Sequence, residues 1–165
     1  MLAYLVAFVF TGFSLVQGAE PPRSISESFT TADRDRVLAT EHFTLSRSVG
    51  KIPEAVSKSL AALLHSPSLT MAEPDQPFQA TDVVGSKPLP WRRLVFSAQS
   101  DKLCALHYEK GGVGSHHLVL VFALEGGSAR LIWGGTLFTE LADVGALKEF
   151  IRAGKIRPNW IEMNW

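Results

Sequence analysis

The chain has 165 residues and zero formal net charge, with 16 basic and 16 acidic side chains, and 46% of its residues are hydrophobic. This length fits one domain, and this composition argues against general disorder. Nucleic-acid binding is disfavoured because it usually needs a basic excess or a basic stripe, and here Arg92-Arg93 is the only adjacent basic pair.

The first element is a predicted signal peptide over residues 1–18. It is apolar from Leu2 to Phe10 and mostly so to Val16, which is shorter than the roughly 20 residues that span a bilayer. Small residues at Gly18 and Ala19 fit a cleavage site. We expect a secreted or periplasmic protein with no membrane contact after cleavage. The leader has no Lys or Arg, so an uncleaved N-terminal anchor in the cell envelope stays open as an alternative.

Residues 19–36 are rich in Pro, Ser, Thr and charge, which predicts a flexible arm ahead of a single α+β domain over 37–165. The first predicted helix runs from Pro53 to His65, where Pro53 suits the first turn. Its apolar stripe has helical spacing and predicts a face packed on the core: Val56, Leu60, Leu63 and Leu64.

Residues 66–91 form the least regular stretch and contain five prolines. An irregular segment of this length inside a compact domain is uncommon, and such loops often carry function. The competing interpretation is a structural cover over one end of the sheet.

Four strands follow, at about 92–98, 103–110, 116–124 and 130–134, separated by short turns that are mostly Gly-rich. This pattern predicts an antiparallel meander. Leu94 and Phe96 are expected on one face of the first strand. The third strand is apolar on both faces, as a central strand covered on both sides would be. The single cysteine, Cys104, lies in an apolar run and is expected to be buried.

A last helix is predicted from Asp143, a suitable N-cap, to Ala153, with Gly154 as its stop. The tail beyond it contains Trp160 and Trp165, which either dock on the domain or bind a partner. The predicted fold is therefore an α+β domain: a four-stranded antiparallel meander packed by an N-terminal and a C-terminal helix.

Residues with catalytic chemistry cluster only at the central hairpin. Strand alternation places His107 and Glu109 on one face, and the hairpin brings one of His116 or His117 to that face, depending on register. Two histidines and a carboxylate could ligate a divalent metal ion. Cys104 points to the opposite face, which disfavours a Cys-His nucleophilic pair.

No catalytic or phosphate-binding motif is present to name a reaction or a cofactor. The first hypothesis is a non-catalytic exported module that binds a protein or a small ligand through the sheet, the 66–91 loop or the tail. The second is a metal-dependent enzyme built on the hairpin histidines and Glu109. The third is an envelope protein tethered by its N-terminus.

Overall fold

A computed structural model of the chain describes residues 30–156, which form one five-stranded sheet with three α-helices. The helices are α1 (Thr31–Ala39), α2 (Glu54–Leu63) and α3 (Val144–Arg152). The strands are β1 (Thr44–Ser46), β2 (Arg92–Gln99), β3 (Leu103–Lys110), β4 (His116–Glu125) and β5 (Ser128–Leu137). The predicted leader, Trp160 and Trp165 lie outside the described residues.

Local sequence explains where two of the helices begin. The Thr30 hydroxyl accepts a hydrogen bond from the Asp33 N–H at 3.1 Å and so caps α1. The Asp143 carboxylate accepts from the Ala146 N–H at 2.9 Å and caps α3, as predicted. Each cap satisfies a backbone donor that the first helical turn leaves open.

The sheet is an antiparallel meander in the order β1-β2-β3-β4-β5, with one apolar layer on each face. Alternation along β3 sends Cys104, Leu106 and Tyr108 towards α2, and Leu103 and Ala105 towards the face that carries α1 and α3. Residues 118–123 of β4 are buried on both faces. The prediction of a central strand covered on both sides is therefore confirmed.

The α+β class and the antiparallel meander are confirmed, but the sheet has five strands rather than four. The fifth is β1, a three-residue edge strand that pairs Leu45 with Ala98 of β2, and it is too short to show an alternating pattern in the sequence. Helix α1 begins at Thr31, inside the segment predicted as an arm. Its buried residue Val37 contributes to the core on the α1 and α3 face.

The prediction that Leu94 and Phe96 share a face is wrong. The β2–β3 register shifts between them, so Val95 is the extra residue of a β-bulge. Leu94 packs with the α2 core and Phe96 with the core of the opposite face. Strict alternation would have placed both side chains in one core.

The segment from Ser66 to Trp91 is irregular but closely attached to the sheet. Ala72 forms an isolated β-bridge with Arg93: the Ala72 N–H donates to the Arg92 carbonyl, and the Ala72 carbonyl accepts from the Leu94 N–H. The buried amide of Gln79 donates to the carbonyls of Thr81 at 2.5 Å and Val83 at 2.7 Å, which ties a smaller loop together. Such internal bonding gives a structureless-looking segment a defined shape.

Among residues 30–156, no helix is long and apolar enough to cross a membrane.

Candidate functional site

The central hairpin settles which histidine joins the predicted cluster. Glu109 of β3 lies directly opposite His117 of β4, whereas His116 lies opposite Lys110 on the other face. Directly opposed residues of an antiparallel pair point to the same side of the sheet. The structure therefore brings Glu109, His107 and His117 to one face and sends His116 away from them.

His107 is fully buried, and both of its ring nitrogens form hydrogen bonds to the backbone. Its Nε2 accepts a hydrogen bond from the Leu141 N–H at 3.1 Å, so the proton lies on Nδ1, which donates to the Leu118 carbonyl at 3.0 Å. The imidazole packs edge-on against Phe96, with ring centroids 5.2 Å apart. Burial is the main cause that lowers the pKa of His107 to about 4. The side chain is thus a neutral link between the sheet and the segment that follows β5.

Glu109 is held by two partners. Its Oε2 accepts from the Arg93 guanidinium at 2.7 Å, and its Oε1 accepts from the Ser115 hydroxyl at 2.6 Å. Burial raises the pKa of Glu109, but the hydrogen bonds from Ser115 and Arg93 and the positive charge of Arg93 outweigh it, so the net pKa lies below the ordinary value. The carboxylate is therefore ionised and occupied by its neighbours.

These contacts argue against the predicted metal site. Both ring nitrogens of His107 are engaged, both oxygens of Glu109 accept hydrogen bonds, and His116 is on the opposite face. In the part of the chain that the structure describes, no three His, Cys, Asp or Glu side chains form a group that could hold a metal ion. The structure thus brings His107, Glu109 and His117 together, but His107 and Glu109 already use their ligating atoms for hydrogen bonds within the fold.

His117 is the one member of the cluster with an unsatisfied atom. Its buried Nδ1 has no hydrogen-bond partner among the described residues. Burial is the largest cause that lowers its pKa, while the carboxylates of Glu109 and Glu140 act in the opposite direction. The ring centroid lies 5.4 Å from that of His107. His117 is thus a neutral imidazole next to charged groups at the rim of the sheet.

Cys104 lies among the apolar residues that pack against α2 and is buried, as expected. Burial raises the pKa of its thiol to about 12. At neutral pH the side chain is a protonated, inert thiol rather than a nucleophile.

The end of the sheet at the turn between β3 and β4 also contacts the 66–91 segment, which carries exposed apolar side chains. Gly112 of the hairpin pairs with Thr81 in an isolated β-bridge and donates its N–H to the Ala80 carbonyl at 3.2 Å. Gly111 donates its N–H to the Trp91 carbonyl at 3.0 Å. A Cβ on Gly111 would lie 1.8 Å from the Gln79 carbonyl oxygen, so only glycine allows this close contact.

This contact holds the loop that carries Val83 and Val84 against the hairpin turn that carries Val113. Val83, Val84 and Val113 are 76%, 61% and 77% exposed, and Leu89 and Trp91, later in the same irregular segment as the first two valines, are partly exposed. We call this set of exposed apolar side chains on the two joined loops the apolar pad: Val83, Val84, Leu89, Trp91 and Val113. In the sequence, its signal was a pair of valines within a segment rich in turn-forming residues.

Comparison of the chain with protein-family models, curated proteins and solved structures gave no match. The geometry of this end of the sheet therefore has to carry the functional argument.

Proposed function

We propose that this chain is an exported, non-catalytic binding module whose apolar pad receives a short apolar segment of another protein. The observation that carries the proposal is the exposure of Val83, Val84 and Val113 on two loops that are bonded to each other. Valine side chains gain free energy on leaving water, so three of them held at a surface favour a contact that covers them.

The pad is held in shape before any partner arrives. The Gln79 amide fixes the carbonyl of Val83, and the Thr81–Gly112 bridge fixes the neighbouring hairpin turn. A surface that is already ordered loses little conformational entropy on binding. Flexible loops with the same side chains would lack this advantage.

The size of the pad favours a short segment over a second copy of the chain. Five partly exposed residues offer roughly a few hundred Å² of apolar surface, a range in which patches on monomers are often functional. A stable interface between folded proteins needs about 800 Å² from each partner. A short apolar segment matches the smaller area.

The charge of the pad favours a protein over a membrane. The loop that contains Val83 and Val84 carries one acidic residue, Asp82, and one basic residue, Lys87, both exposed. Loops that bind anionic membranes usually add several Lys or Arg side chains, each of which attracts the surface. No such excess is present here.

The predicted leader supports export, since an apolar run shorter than a membrane span followed by small residues is typical of a cleaved signal peptide. The proposal therefore concerns partners outside the cytoplasm. The enzyme alternative has less support, because both ring nitrogens of His107 and both carboxylate oxygens of Glu109 are engaged within the fold.

The test compares the mature protein with a variant carrying Val83→Ser, Val84→Ser and Val113→Ser. Leu45→Ser is the matched control, because Leu45 is an exposed apolar residue on β1, away from the pad. Each protein is used to isolate binding proteins from the exported fraction of the producing cells, and binding is then repeated with the purified partner. We expect a partner that binds wild type and Leu45→Ser and loses at least about tenfold in affinity with the triple variant.

Two further measurements separate the other occupants of the pad. If wild type forms a dimer by light scattering that the triple variant cannot form, the pad binds a second copy and the proposal fails. Sedimentation with anionic lipid vesicles that is lost in the triple variant would show a membrane surface and would also overturn it. A partner that binds all three proteins equally contacts another surface, with the same consequence.

A further inference from the structure

A linker over residues 138–143 joins β5 to α3 and contributes a single buried residue to the core. Leu141 is 2% exposed and belongs to the core cluster on the α1 and α3 face, whereas the other linker residues are exposed. Segments with few buried contacts open at a lower cost in free energy than the strands and helices beside them. The linker is thus a segment that can leave the sheet without the sheet unfolding.

Two hydrogen bonds hold the buried end of the linker. The Leu141 N–H donates to Nε2 of His107 on β3 at 3.1 Å, and the Ala142 carbonyl accepts from Nη2 of Arg47 at 2.8 Å. The His107 side chain is fully buried, whereas Arg47 is exposed. A hydrogen bond that is shielded from water is the stronger of such a pair. The contact between Leu141 and His107 is therefore the main polar attachment of this end.

The bond from Leu141 requires a neutral imidazole. Nδ1 of His107 donates to the Leu118 carbonyl at 3.0 Å, so Nε2 is the ring nitrogen that carries no proton and accepts from Leu141. Protonation places a hydrogen on Nε2, and the Leu141 N–H then faces a second donor instead of an acceptor. The added charge also lies in a buried position, which costs free energy. Both effects favour a state in which the linker has left and water reaches the ring.

The charged groups around His107 do not offset this cost. Burial is the main cause that lowers the pKa of His107 to about 4, and a positive charge on His117 lowers it further. The two rings are close, with centroids 5.4 Å apart. The other charged groups near the pair act on His117, and they come from β2, β3, β4 and the linker: Arg93, Glu109, His116 and Glu140.

We propose that the contact between His107 and Leu141 is an acid-sensitive latch: protonation of His107 releases the linker while the sheet stays folded. Release exposes the Leu141 side chain and the His107 ring, so the protein gains apolar surface only under acidic conditions. The latch does not involve the apolar pad, and its test is therefore independent of the proposed binding function.

The pH dependence of the opening follows from the two protonation states. His107 has a pKa of about 4 with the linker closed and regains the ordinary value of 6.5 once it is open to water. The equilibrium constant for opening should therefore rise by about tenfold for each unit that the pH falls between 6.5 and 4. Above pH 6.5 the imidazole is neutral in both states, and the opening should not depend on pH.

The experiment is amide hydrogen exchange, followed by NMR on the purified protein from pH 7 to pH 4.5. The quantity compared is the protection of each amide relative to its exchange in an unfolded chain at the same pH. We expect the protection of the Leu141 amide to fall by about tenfold per pH unit below pH 6.5. The Leu120 amide of the central strand β4 is the reference and should be better protected than Leu141 at every pH.

Variants identify the titrating group. His107→Gln keeps a donor and an acceptor but does not titrate, so the protection of Leu141 should no longer depend on pH. His117→Gln, which changes the neighbouring ring, should keep the wild-type pH dependence.

A second pair of variants tests the other attachment of the linker. Arg47→Ala removes the bond to Ala142 and should lower the protection of Leu141 by roughly two- to tenfold at every pH, with the same slope. Arg130→Ala removes an exposed arginine of β5 and is the matched control, which should change neither the protection nor the slope.

The wild-type profile alone can overturn the proposal, even if His107→Gln does not fold. Equal protection of Leu141 and Leu120 at every pH would show that the linker opens only when the whole fold does. Protection of Leu141 that stays constant below pH 6.5 would show that no group controls its opening. Loss of the pH dependence in His117→Gln, with its retention in His107→Gln, would place the titrating group elsewhere.

Discussion

Replacement of His107 by Gln should remove a specific part of the pH dependence of folding stability. His107 is buried as a neutral imidazole with a pKa of about 4, compared with about 6.5 in the unfolded chain. Between these values the unfolded state binds a proton that the folded state does not. The contribution of the neutral His107 to the unfolding free energy is therefore complete above pH 6.5 and is lost as the pH falls towards 4.

The magnitude follows from the size of the pKa shift. At about 1.4 kcal/mol per pH unit, a difference of about 2.5 units corresponds to about 3 kcal/mol of unfolding free energy lost between pH 6.5 and pH 4. Glutamine has one donor and one acceptor group, so it can reach the Leu118 carbonyl and the Leu141 N–H without titrating. At neutral pH the variant should be less stable than wild type. Its unfolding free energy should change much less than that of wild type between pH 6.5 and pH 4.

The assay is urea unfolding of both proteins at a series of pH values from 7 to 4. His117 also has a lowered pKa and contributes in the same direction in both proteins, so the difference between the two curves isolates His107. His42→Gln, which removes an exposed histidine, is the control and should keep the wild-type slope. A stability difference between wild type and His107→Gln that stays constant with pH would refute the reasoning.

Three other results are expected. Gly111→Ala should destabilise the protein by about 2 kcal/mol or more in thermal or urea unfolding, because its Cβ would overlap a backbone carbonyl, whereas Gly85→Ala, where no atom lies within 4 Å, should be neutral. Gln79→Ala should lower the unfolding free energy by about 1–3 kcal/mol and speed amide exchange over residues 80–90, since two loop carbonyls lose their donor. The control Gln76→Ala, at an exposed residue, should change neither the stability nor the exchange. Equal effects of the two variants would contradict this role of Gln79. Cys104 should react with a thiol reagent at pH 8 only on unfolding, and labelling of the native protein at the rate of a free thiol would contradict its burial.

The central part of the fold was predictable because it rests on short-range patterns. Four strands with turn signals between them, and two helices with apolar stripes, each have enough residues to show a period. Strand β1 has only three residues and helix α1 has one buried side chain, Val37, so neither element shows a hydrophobic period. The bulge at Val95 was hidden because a single inserted residue leaves the composition of β2 unchanged.

The candidate site was less accessible to sequence reasoning. Alternation placed His107 with Glu109, but whether His116 or His117 joined them depended on a one-residue register that the glycine-rich turn does not specify. The use of His107 by the backbone of Leu141 could not be inferred, because the two residues are far apart in the chain.

The most direct test of the binding function is site-specific photocrosslinking in the cells that produce the protein. A photoreactive amino acid is placed at Val83 or Val113 of the apolar pad, or at Arg130, an exposed residue of β5 away from it. The account predicts one discrete adduct with a second protein from both pad positions and none from Arg130. Equal adducts from all three positions, or none from the pad, would contradict it.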